Sequence, residues 1–156
     1  MNGTVVQSKF VRRLRALLVE CITPGSKPRI DEVNDIAKAA GYSVVNRVTQ
    51  HRDSVDSAYC VGKGKIDEIE KTVTEGSIEA IIFTRQLSAG QIFRIKKKLG
   101  DVHVLDRNLL ILEVFEKRCA TTEARLQIAL ARLRYTFSWG RESVRMRGIT
   151  SEQMGR

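Results

Sequence analysis

Hydrophobic positions change period repeatedly along this chain, and each change marks an element. Arg15–Cys21 (RALLVEC) is a continuous apolar run of strand length closed by Thr23-Pro24-Gly25, which predicts a buried β-strand. Over 29–40, Ile30, Val33, Ile36 and Ala37 recur at helical spacing, and Gly41 stands where a C-cap belongs. Ser43–Thr49 reads as the next strand and Ala58–Val61 as a short third one, ending in Gly62-Lys63-Gly64-Lys65. A helix follows with Ile66, Ile69 and Val73 on one side and Gly76 at its end. Ile78–Thr84, Gln91–Leu99 and Val102–Leu105 then predict strand, basic helix and strand. Strict alternation of strand and helix requires crossover connections, so the expectation is a small, open, mainly parallel sheet flanked by helices. Strands that are apolar throughout, rather than at every second position, agree with burial on both faces.

After Asp106 the pattern becomes purely helical. Asp106 is suited to cap a helix carrying Leu109, Leu110, Leu112, Val114 and Phe115. Ala120-Thr121-Thr122-Glu123 predicts a restart with a Thr cap and an acid in the first turn. Leu126, Leu130, Leu133 and Phe137 follow at steps of four, three and four, the a/d seam of a helix that expects a helical partner. The chain therefore divides into an α/β subdomain, 1–105, and a long-helix, coiled-coil-like arm with a basic tail, 106–156. Arg141–Arg156 is poor in apolar residues and reads as loop or frayed helix.

Charge sharpens this division. The net charge of the 156 residues is +9, and residues 117–156 hold nine Lys or Arg against three Glu, so two thirds of the excess lies in the last quarter. Such a bias favours a polyanionic partner, because neutralising phosphates releases counterions. A solvated helical face is the alternative. Cys21, Cys60 and Cys119 are far apart and set among apolar neighbours, and His51 and His103 are isolated, so buried reduced thiols are expected and zinc is not. No segment has the length of a membrane span, and Arg12, Arg13 and Arg15 interrupt the first apolar run, which leaves no signal peptide; a cytoplasmic location is the expectation.

Three features are candidates for binding. Gly62, Lys63, Gly64 and Lys65 lie where a strand passes into a helix, a position that suits phosphate. Yet a P-loop would follow its lysine with Ser or Thr, whereas Ile66 follows Lys65, and Asp67 and Glu68 are expected in the first helical turn. A structural turn, an RNA-backbone contact and a mononucleotide site, with Lys63 and Lys65 on the phosphates, all remain open. The cluster Arg94, Lys96, Lys97 and Lys98 is a solvated face or a phosphate contact. Trp139 is either a hydrophobic plug or a stacking platform for a base. No Ser/His/Asp or Cys/His set appears, and no paired acids, so binding rather than catalysis is expected of this chain.

The segment Asp106-Arg107-x-x-Leu110-Ile111-Leu112-x-x-Phe115-x-x-Arg118-x-x-Thr121-x-Glu123-x-x-Leu126-Gln127-x-x-Leu130-Ala131-x-Leu133-x-Tyr135 resembles the junction of the HflX family of ribosome-associated GTPases. Tyr59-Cys60-Val61-Gly62-Lys63-Gly64-Lys65-Ile66-x-Glu68-Ile69 is similar to that family's strand-to-helix turn, and the likeness covers roughly 14–136. The resemblance implies an N-terminal α/β subdomain, two long antiparallel helices, and a separate GTPase domain that holds the P-loop, GTP and Mg²⁺. It implies binding to the large ribosomal subunit and its rRNA, and ATP binding or RNA unwinding credited to the N-terminal region of some members. The residues expected on rRNA phosphates are Arg125, Arg132, Arg134, Arg141, Arg145 and Arg147, with Trp139 stacking. Asn108 departs from the family's usual Thr, and Phe137-Ser138-Trp139 from its usual Leu-Pro-Arg. No cofactor is expected in this chain itself. Because it stops at Arg156, before the second long helix and the GTPase domain, the expectation is that the Leu126/Leu130/Leu133/Phe137 seam drives self-association.

Overall fold

The computed structural model describes residues 12–153; Met1–Val11 and Met154–Arg156, including the start of the N-terminal reading and the tip of the basic tail, lie outside the described residues. Element order is β1 (Leu14–Ile22), α1 (Ile30–Ala39), β2 (Tyr42–His51), α2 (Lys63–Glu75), β3 (Ala80–Phe83), α3 (Ala89–Leu99), β4 (His103–Leu105), α4 (Arg107–Arg118) and α5 (Thr122–Gln153). The four strands form one parallel sheet in the order β2-β1-β3-β4. β1 is central, and Ala16–Glu20 of it are buried without interruption, as a strand covered on both faces must be. The order reverses after β2, so right-handed crossovers put α1 and α4 on one face and α2 and α3 on the other. The helix contacts agree, with α1 against α4 and α2 against α3.

β2 is a ten-residue edge strand, and its register with β1 slips between Ala16 and Leu17, leaving Val45 as an extra residue in a bulge. At the opposite edge β4 has only three residues. α5 touches both α3 and α4 and so lies across that edge.

The turn at Gly41 joins local chemistry to packing. α1 ends at Ala39, and Gly41 takes φ +90°, a conformation that costs a residue with a Cβ dearly. Lys117, in the last turn of α4, donates from Nζ to the Ala40 carbonyl, and its ammonium fills the space that a Cβ on Gly41 would need. One glycine thus lets the ends of α1 and α4 meet.

Two expectations are corrected. Ala58–Val61 is not a strand: Asp56 and Cys60 form a single antiparallel bridge, and the Asp56 carboxylate accepts from the N–H groups of Ala58 and Tyr59 at 2.8 Å each, which winds the segment into a turn. Asp67 and Glu68 lie in the second turn of α2, because the helix begins at Lys63. Residues 141–153 are helical, a direct continuation of α5 through Gly140. α4 packs on the α/β body, with Leu109 and Leu110 buried in the common core.

Candidate functional site: the groove between the sheet edge and the long helix

The Thr121 hydroxyl accepts from Ala124 N–H at 3.1 Å and starts α5 where the sequence predicts. The helix then has two apolar faces. Ala124, Ile128, Arg132, Tyr135, Thr136 and Trp139 are the less exposed positions, spaced three or four apart and turned to the body. Leu126, Leu130, Leu133 and Phe137 turn outward and are 66, 43, 62 and 62% exposed.

Two buried carboxylates hold α5 down. Asp106, completely buried, accepts from Leu109 N–H at 2.9 Å, capping α4, and from Leu87 N–H at 3.1 Å in the loop before α3. Its third partner is the Tyr135 hydroxyl on α5. Burial and this bond to a carboxylate push the Tyr135 phenol upward. Glu113 of α4 accepts from the Tyr42 hydroxyl at 2.7 Å and lies 3.4 Å from His103 Nε2 and 3.3 Å from Arg132. Burial raises its pKa, but His103, Tyr42 and Arg132 outweigh burial and hold it below the ordinary carboxylate value. Arg132 also pairs with Glu116 at 2.9 Å. Its guanidinium is therefore paired with acids of the body, unlike the exposed arginines further along α5.

Between β4 and α5 lies a groove of about 720 Å³, lined by residues of α3, β4, α4 and α5. Lys96 and Lys97 of α3 line it together with Arg147, His103 and Trp139. The structure thus brings the α3 lysines to the same surface as the α5 arm, although 50 residues separate Lys97 from Arg147 in sequence. Lys98 does not join them, because it is tied to Asp67 at 2.7 Å and to Glu70 at 3.6 Å on α2. Arg125, Arg134, Arg141 and Arg145 are exposed along α5. Trp139 is only 8% exposed and meets the Tyr135 ring edge-on, with centroids 5.1 Å apart. It forms part of the inner wall of the groove, and the little of it that is exposed faces that space.

The glycine turn has a different character. Gly62 is the N-cap residue of α2, its N–H donates to Gln50 Oε1 at 2.8 Å, and the Arg52 guanidinium lies against its Cα. A side chain of the protein therefore occupies the close approach that a glycine there could offer a phosphate. Lys65 pairs with Glu68 at 2.9 Å, whereas Lys63 is exposed and Gly64 faces open space. With Ile66 buried where a P-loop has its Mg²⁺-binding hydroxyl, these residues do not fit an Mg²⁺-nucleotide of that kind. Among the described residues no three of His, Cys, Asp and Glu cluster as metal ligands, and no helix is long and apolar enough to cross a membrane. Cys21 and Cys60 are buried; desolvation raises the Cys21 thiol and pushes Cys60 up to about 12, so neither is poised as a thiolate.

Comparison with known proteins accounts for this architecture. Residues 27–116 match the family model described as GTP-binding GTPase N-terminal. GTPase HflX of Thermofilum pendens is 34% identical over 122 residues, covering 78% of this chain and 28% of that protein. GTPase HflX of Alkalihalophilus pseudofirmus is 38% identical over 106 residues, covering 68% of this chain and 25% of that protein. A GTP-binding protein of Sulfolobus solfataricus, solved in complex with GDP, superposes with a TM-score of 0.65 at 25% identity, over 92% of this chain and 46% of that one. The chain belongs to the GTP-binding GTPase N-terminal family, as the N-terminal domain of an HflX-type protein. It spans about a quarter of the length of the curated relatives it matches.

Proposed function

We propose that this chain is the ribosome- and RNA-binding module of an HflX-like GTP-binding protein, and that it meets rRNA of the large subunit through the α3–α5 surface. The observation that carries this reading is the groove, where Lys96, Lys97 and Arg147 converge and no carboxylate appears among the described lining residues. Arg125, Arg134, Arg141 and Arg145 extend the same positive character along α5. Phosphate contacts of this kind position a domain without reading sequence. GTP and Mg²⁺ belong to the GTPase domain of the longer relatives, and no step of hydrolysis is assigned to a residue here. Co-sedimentation with large ribosomal subunits between 50 and 200 mM salt tests the reading. Five or six phosphate contacts predict a loss on the order of 10³-fold over that range. Replacing Arg125, Arg134 and Arg141 together by Glu should abolish binding; salt-insensitive binding would refute the electrostatic mechanism.

A nucleotide reading of the Gly62–Lys65 turn retains one supporting observation: α2 begins without a capping side chain or an acid in its first turn. Calorimetric titration of the chain with ATP decides it, since absence of heat at millimolar nucleotide removes the idea.

A further inference from the structure

The charge around the groove explains attraction to phosphate, but much of its lining is apolar and its volume of about 720 Å³ exceeds what a phosphate alone would fill. Ile92 and Phe93 of α3, Val104 of β4, Leu109 of α4 and Trp139 of α5 face a space of about 720 Å³, within the usual range for sites that enclose a small organic group. Gly140 borders the same space, and a Cβ added there would meet nothing within 4 Å among the described residues. Its inner polar groups are the His103 ring, the Arg132 guanidinium, which is paired with Glu113 and Glu116, and the Thr136 hydroxyl, which donates to the Arg132 carbonyl at 2.9 Å and keeps lone pairs to accept with.

An apolar slot with an indole in its wall, polar groups at its rim and cations at its mouth suits a flat heteroaromatic ring attached to phosphate. From these features we infer that the groove takes one unstacked base of a single-stranded RNA, with the flanking phosphates on Lys96, Lys97 and Arg147. The inference rests on the RNA-binding reading above and adds a base-binding subsite to it. A duplex is excluded as the occupant, because its base faces are stacked and its phosphates alone could reach the lysines. A strand is favoured over a free nucleotide, since the cations at the mouth come from two helices and continue along α5.

The chain's single tryptophan lies in the wall, so its emission reports occupancy directly. Titration with an octamer of adenylate should quench Trp139, and the octamer should bind about tenfold more tightly than a ribose-phosphate octamer without bases, the scale of one base stacked on an aromatic ring. Gly140→Leu fills the slot and adds a better helix former while leaving every cation in place. It should remove the quench and the tenfold preference, yet keep salt-sensitive binding of both oligomers. Replacing Lys96 and Lys97 by Glu should weaken both oligomers alike. Equal affinity for the two oligomers, or unchanged Trp139 emission at saturation, would overturn the base site while leaving the phosphate surface intact. Quenching by AMP at concentrations as low as those of the octamer would overturn the assignment to a strand. Failure of both oligomers to bind in a salt-dependent way would sink the RNA reading itself.

Discussion

Asp106→Ala is the substitution from which most is expected per atom removed. The carboxylate is fully buried and accepts three hydrogen bonds from three places: the first turn of α4, the β3–α3 loop and Tyr135 on α5. Alanine leaves the Leu87 N–H, the Leu109 N–H and the Tyr135 hydroxyl without their acceptor. Loss of an N-cap costs about 1 kcal/mol, and each bond to a buried charge about 1.5–3 kcal/mol. These terms share one side chain and do not add fully, so about 4 kcal/mol is expected. With an m-value of about 2 kcal/mol per molar urea, the unfolding midpoint should fall by about 2 M. Tyr135→Phe removes only the link to α5 and should cost about 1–2 kcal/mol. Urea titrations followed by far-UV circular dichroism provide both numbers. If Asp106→Ala cost no more than Tyr135→Phe, the view of Asp106 as a clasp on three elements would be wrong.

Glu113→Gln should lower stability by about 1–3 kcal/mol at pH 7, because the amide cannot satisfy Tyr42, His103 and Arg132 together. The folded state holds the Glu113 pKa below its ordinary 4.5, so ionised Glu113 contributes fully above that value and less as pH falls through the folded one. The gap between wild type and variant should therefore close on acidification; urea midpoints at pH 7 and near pH 3.5 check this, and a widening gap contradicts it. Gly64→Ala should stabilise the chain by about 0.5–1 kcal/mol, since the helix gains and no atom lies in the way, whereas Gly62→Ala must displace Arg52 and should destabilise it. Thermal midpoints of the two variants falling in the opposite order would refute that contrast. The seam of Leu126, Leu130, Leu133 and Phe137 should drive concentration-dependent self-association, each large side chain contributing about 1.5–3 kcal/mol if fully covered. Sedimentation velocity should show a monomer for Leu130→Glu with Leu133→Glu; a wild type that stays monomeric at millimolar concentration counts against the seam.

Periodicity revealed most of the body, because a parallel sheet writes its strands as unbroken apolar runs. Arg15–Cys21 and Ile78–Thr84 were legible for that reason, and their helices from the 3.6 spacing of Val33/Ala37 and Ile66/Ile69/Val73. Ala58–Val61 misled because its apolar residues serve a turn that one carboxylate, Asp56, organises, and a run of four cannot distinguish the two. The basic tail stayed undecided between loop and frayed helix because low hydrophobicity argues against burial, not against helix, and Glu, Arg and Met are good helix formers. The groove itself was hidden: Lys96 and Lys97 meet Arg147 only through the packing of α5 on α3, a long-range event with no signature in spacing. The pairing of Arg132 was subtler. Its place on an inner stripe with Ile128 and Tyr135 was available in the sequence, and that stripe points it at Glu113 and Glu116 rather than at solvent.

The bulge at Val45 bears on how copies of this chain treat one another. A ten-residue edge strand is otherwise a template on which a second molecule could extend the sheet, the usual start of strand-mediated aggregation. The inserted residue breaks the repeat of N–H and C=O groups on β2 and increases its twist, while Arg47 places a cation, paired with Asp31, on the strand. An incoming strand would have to copy that kink in register to pair beyond it. The sheet edge therefore carries its guard in the backbone geometry itself, an interruption that a second strand would have to match to extend the sheet.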